Sequence, residues 1–191
     1  AATSMGRKVT AHAHGKSGID AAIRAGVKSI EHGTYLDDET IDLFKEHDAV
    51  LVPTALAGAT VAGWVEQPWL PEASREKAAI VGPLMADMVR RAHEGGVTIA
   101  FGTDTGVSNH GDNAQEFAIM VASGFSPEDA IRAATVVAAE HLELGDQIGR
   151  VSTGFAADIV AVRSDPLKNV TELEDVDFVM ARGVVHKNRL N

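Results

Sequence analysis

Three short apolar runs each end on a side chain that can hold a metal ion or move a proton: VTAHAHG at 9–15, SIEHG at 29–33 and TIAFGTDTG at 98–106. They place His12, His32 and Asp104 where buried strands run out into loops, the position at which parallel α/β proteins assemble metal sites and hydrolytic chemistry. Divalent metals accept imidazole and carboxylate, and catalytic zinc keeps about three protein ligands with one position open for water. Such an ion acidifies its water toward neutrality, and Asp104 could both touch the metal and accept the water's proton. A lone histidine is more often structural, however, and residues spread from 12 to 104 are not a tight motif. The residues alone leave a metal hydrolase and a set of packed histidines both open.

The elements that must position these residues can be read from periodicity. Val9–Ala13, Ser29–Glu31, Ala49–Thr54 and Val97–Gly102 lack polar alternation and read as buried strands. SGIDAAIRAG and DDETIDLFKEHD between them each carry an apolar face at helical spacing, the second with acidic residues at its start, where they favour the helix dipole. A longer helix is expected over Pro71–Glu94, stopped by Gly95 and Gly96. AGATVAGWVEQPWLP before it has no period and reads as a loop carrying both tryptophans. That loop is either a substrate lid or a segment packed onto the rim. Helices follow at Asn113–Ser123 and Ser126–Leu144, with Ser126 as N-cap and Pro127 at the first helical position. From Gly145 the pattern changes to short β segments. Strands alternating with helices predict an α/β fold with a parallel sheet.

Composition narrows the partners. With 27 acidic residues against 17 basic, the net charge is −10 and no basic stripe forms, so nucleic acid is not expected. Apolar runs fall far short of the roughly 20 residues that cross a bilayer, so no membrane partner is expected, and a signal peptide is expected to be either absent or already removed. The absence of cysteine excludes thiolate zinc sites and thiol nucleophiles and suits a cytoplasmic location, so any metal must be held by histidine and carboxylate.

HAHG, EHG one βα unit later, Pro53-Thr54 at the next strand end, GTD, and then GDQIGRVSTGFAADIVAVRSDPL together resemble the C-terminal half of the metal-dependent amidohydrolase superfamily. Within it, the chain is most similar to the imidazolonepropionase-like and Xaa-Pro dipeptidase-like branch, essentially end to end. The resemblance implies a (β/α)8 TIM barrel, of which this chain would supply strands 5 to 8, with one or two divalent ions, zinc being the expected metal. His12 and His32 then become the strand 5 and strand 6 ligands, and Asp104 the strand 8 ligand and catalytic proton acceptor. Residues 1–145 would form half the barrel, and residues 146–191 part of a β-sandwich built by both chain ends.

Other residues near these strand ends carry two readings each. His14 shares a strand end with His12 and either meets substrate or simply packs. Tyr35 resembles a binder of the substrate's carboxylate, against an ordinary loop tyrosine. His110, in the loop after Asp104, could also meet substrate. Glu116 is expected to face the loop or cap helix amides. His47, His93, His141 and His186 read as structural, and Asp158 as a structural aspartate of the sandwich.

The superfamily's strand 1 HxH pair and strand 4 lysine would precede residue 1. The expectation is therefore a fragment of a hydrolase of amide or peptide bonds in a small substrate, such as a dipeptide or N-acyl amino acid. A cyclic amide of the imidazolone kind is the alternative. A reading of another class is an inactive structural fragment that hides its open sheet edges against a second copy, as a homo-oligomer, or against a missing N-terminal half.

Overall fold

The computed structural model describes residues 2–190. Four strands, β1 (Thr10–Ala13), β2 (Ser29–His32), β3 (Val50–Val52) and β4 (Thr98–Ile99), lie side by side in chain order and run parallel. Parallel neighbours need long crossovers, and helices supply them. The register pairs Ala11 with Ile30, Ile30 with Leu51 and Leu51 with Ile99, giving one apolar row across the sheet. Helix α1 (Lys16–Arg24) packs Ile19 and Ile23 into the core that holds this row, and α2 (Asp38–Glu46) adds Leu43 and Phe44. The alternate row runs from His12 through Glu31 to Val52 and, by the two-residue period of a strand, faces away from these helices.

Local chemistry fixes the helix starts. The Asp37 side chain accepts the Thr40 amide at 3.0 Å and so caps α2. Lys16 bridges the two helices, donating to Asp20 at 2.9 Å and Asp37 at 2.8 Å. Ser126 caps α6 (Pro127–Arg132) through the Asp129 amide, with Pro127 in the first turn. A π-helical turn over Ala133–Val137 carries that helix into α7 (Ala138–His141), and α5 (Gln115–Ala122) precedes it.

Two expectations are corrected. Residues 57–71 are not one aperiodic loop, because α3 (Ala55–Gly63) occupies the first part. Its sequence, ALAGATVAG, is apolar almost all round, as suits a helix packed on several sides, so no amphipathic period marks it. Helix α4 (Glu72–Glu94) lies across it at very close range. A Cβ on Gly58 would sit 2.2 Å from Met85 Sδ, and one on Gly82 2.5 Å from Ala62 Cβ. Trp64 and Trp69 pack edge to face, centroids 5.2 Å apart, between the two helices. The fourth strand is also shorter than Val97–Gly102. Ala100 still donates to the Leu51 carbonyl, but the Phe101 amide turns to the Ala133 carbonyl at 3.1 Å, which ends the ladder.

Past Gly145 the chain forms a separate antiparallel sheet of β5 (Ile159–Ala161), β6 (Phe178–Ala181) and β7 (Val184–Asn188), with an irregularity at Val179/Met180. Among the described residues, no helix is long and apolar enough to cross a membrane.

Candidate metal centre

The C-terminal ends of the parallel strands converge on one site, and the backbone there is unusual. His32, Thr54 and Asp104 follow or close β2, β3 and β4, and have φ of 73°, 50° and 51°. Side chains rarely adopt left-handed φ, least of all a β-branched one, and each such residue costs on the order of 1–3 kcal/mol that its surroundings must offset.

At His32 this backbone has a visible purpose. The register places His32 opposite Ala13, in the row that faces the helices, whereas His12 lies in the other row. With φ at 73°, the His32 ring instead reaches His12, and its Nε2 lies 2.8 Å from His12 Nδ1. Its Nδ1 lies 2.7 Å from Thr54 Oγ1, and both residues are buried. His14 stacks on His32 with centroids 4.7 Å apart, and its Nδ1 lies 2.8 Å from Thr34 Oγ1.

The nitrogens that His12, His14 and His32 can offer an ion all lie within 4.8 Å of one another. Burial, and next the neighbouring His14 and His12, push the pKa of His32 down to about 4, with Asp104 working the other way. Burial, and then His12, likewise lower that of His14. Both rings are thus held toward the neutral form, the one that ligates metals.

Asp104 borders the same cavity as the three histidines and is exposed, with no hydrogen bond or ion pair to its carboxylate among the described residues. Its loop is tied from both sides, as Asn113 donates to Thr103 at 2.9 Å and Thr105 at 2.6 Å. The cavity measures about 410 Å3, and its opposite wall comes from α3 and α4. Tyr35 and His110 do not line it. Tyr35 is 43% exposed, its amide bonded to the His14 carbonyl at 2.9 Å, and His110 is exposed in its loop. Neither tryptophan lines it.

Two supporting residues stand behind the site: Thr54, whose part the sequence did not reveal, and Glu116, for which the capping of helix amides was one of the two expected roles. Thr54 appears in the sequence only as half of a Pro-Thr pair, yet it orients His32. Glu116 has no exposed surface and accepts the Ala55 amide at 2.9 Å and the Leu56 amide at 2.6 Å, capping α3 directly behind Thr54. Burial pushes its pKa up to about 7 against the pull of those two amides. The only sequence signal for it is a carboxylate inside an otherwise apolar helix, QEFAIMVA.

Known proteins share this framework. A solved structure of a Xaa-Pro dipeptidase with methionine bound in its active site superimposes with a TM-score of 0.95 at 44% identity, covering 98% of this chain and 46% of that one. Ochratoxinase of Aspergillus niger is 35% identical over 187 residues, 91% of this chain and 36% of that protein. Imidazolonepropionase of Salinispora tropica is 29% identical over 163 residues. The chain therefore spans about half, or less, of the length of the proteins it matches. The shared strand-end framework, the 35% identity to a curated relative and a family model matching residues 1–185 agree: the chain belongs to the amidohydrolase family.

Proposed function

We propose that residues 1–145 form strands 5 to 8 of a (β/α)8 barrel and residues 146–191 a β-sandwich segment, and that the complete protein is a metal-dependent hydrolase. Its reaction is cleavage of an amide or peptide bond in a small substrate, such as a dipeptide or N-acyl amino acid. The observation that carries this reading is the meeting of His12, His14 and His32 within 4.8 Å, on a cavity that Asp104 also borders.

The donor set fits a divalent ion. His14 and His32 each spend Nδ1 on a threonine hydroxyl, which fixes both rings as outer partners do for metal-ligating histidines, and the Nε2 of His32 faces His12 Nδ1 at 2.8 Å. His12, His32 and Asp104 would hold the ion, with His14 beside them as a ligand or a substrate contact. A divalent ion there would polarise the scissile carbonyl and raise the acidity of water. Asp104, whose carboxylate has no hydrogen bond or ion pair among the described residues, takes the proton from the attacking water and hands it to the leaving nitrogen as the C–N bond breaks. Thr54 and Thr34 hold the imidazoles in place throughout.

A cyclic amide substrate is the second reading, favoured by the likeness to imidazolonepropionase. The test is turnover by the complete protein on panels of dipeptides, N-acyl amino acids and cyclic amides, before and after chelation. Asp104→Asn should cut turnover by at least about a hundredfold without unfolding the protein. Near-parental turnover in that variant would remove Asp104 from the mechanism.

A further inference from the structure

Two of the left-handed residues at the strand ends are held from a single turn of helix. Asp104 and Thr54 follow different strands, yet the hydrogen bonds that brace them both lead to the start of α5. Backbone in this region persists only where its surroundings over-determine it.

Asp104 is braced on both sides by Asn113. The Asn113 amide has two N–H donors and gives one to each flanking hydroxyl, Thr103 at 2.9 Å and Thr105 at 2.6 Å, and those hydroxyls also bond each other at 2.8 Å. The Gly111 amide donates to Asn113 Oδ1 at 3.3 Å, which turns the NH2 toward the threonines. The Asp104 carboxylate takes no part in this clamp and is left to the cavity.

Thr54 is braced by an exchange of partners. A threonine at a helix N-cap ordinarily spends its hydroxyl on one of the first free amides. Thr54 caps α3 without such a bond, and its hydroxyl lies 2.7 Å from His32 Nδ1 instead. Glu116 takes over the amides, accepting Ala55 at 2.9 Å and Leu56 at 2.6 Å. Glu116 and Met120, one turn further on, are both fully buried, which fixes this end of α5 to the core.

We propose that Asn113 and Glu116, where α5 begins, are positioning residues that set the two sides of the metal centre from one bracket: Asn113 aims Asp104 through Thr103 and Thr105, and Glu116 aims His32 through Thr54. This rests on the metal-centre reading above and extends it beyond the ligands. Neither residue lines the cavity, so each acts only through the residue it holds.

The experiment is a double-mutant cycle on the zinc affinity of the complete protein, measured by competition with a fluorescent chelator. Asn113→Ala should weaken zinc binding about 10- to 100-fold in the parent, but no more than about twofold in an Asp104→Ala background, where the residue it aims is gone. Glu116→Gln should behave likewise, its loss of affinity disappearing in a Thr54→Val background. Unchanged affinity in either single variant, or the same loss in both backgrounds, overturns the bracket; a general loosening of the fold would give the second result. Should Asn113→Ala not fold, Thr105→Val removes one hydroxyl of the clamp and is scored in the same cycle. A parent that binds no zinc counts against the metal-centre reading, and crystal structures of the parent and Asn113→Ala then judge the bracket. Loss of the left-handed backbone at Asp104 in the variant supports it; an Asp104 that keeps its place overturns it.

Discussion

Thr54 shows how much of the site rests on residues that touch no substrate. It holds left-handed φ, is buried, and places a hydroxyl 2.7 Å from His32 Nδ1. Valine has the same shape without the hydroxyl, so Thr54→Val should keep the fold and lower divalent-metal affinity of the complete protein about 10- to 100-fold. Competition with a fluorescent chelator measures this, and unchanged affinity would mean that the ring is held by packing alone. The part played by Thr54 was hidden in the sequence because its partner lies 22 positions away. The strand-end placement of His12, His32 and Asp104 was legible, because each closes a short apolar run. That His32 would swing across to His12 was not, because the register alone points it the other way.

Helices α1 and α2 were legible because each has one apolar face, whereas α3 was not because it is apolar on nearly every side. What positions α3 is Glu116, 60 residues distant. Its two oxygens accept two adjacent helix amides, and Glu116→Gln would turn an NH2 donor toward one of them. That leaves a buried mismatch costing about 1–3 kcal/mol at neutral pH in chemical denaturation. Its pH dependence has a definite sign. The folded pKa of about 7 lies above the ordinary 4.5, so the contribution of Glu116 is fully present below pH 4.5 and is lost as pH rises through 7. The stability margin of the parent over Glu116→Gln should narrow between pH 5 and 8; a widening margin would show a carboxyl that titrates low. The α3–α4 contact makes a second prediction, for stability. Gly82→Ala places a methyl 2.5 Å from Ala62 Cβ and 3.1 Å from the Gly58 carbonyl, and should destabilise by about 1–3 kcal/mol in thermal melts.

For the whole molecule, the decisive feature is a parallel sheet that ends at β1 on one side and β4 on the other, with neither edge paired among the described residues. Exposed edges recruit partners. The 191-residue chain alone should self-associate in light scattering and hold divalent metal weakly, because ligands on an unclosed scaffold are poorly preorganised. Monomeric behaviour with tight stoichiometric metal would contradict both expectations. The alternation of strands and helices made the parallel sheet readable in advance, and the break in rhythm at Gly145 announced the second sheet. The central claim concerns the histidine cluster, and metal analysis of the purified complete protein tests it most directly. The account predicts at least one equivalent of divalent ion in the parent and the loss of at least one equivalent in His12→Ala/His32→Ala. A folded double variant that keeps the parent's full metal content, or a parent that binds none, would contradict it.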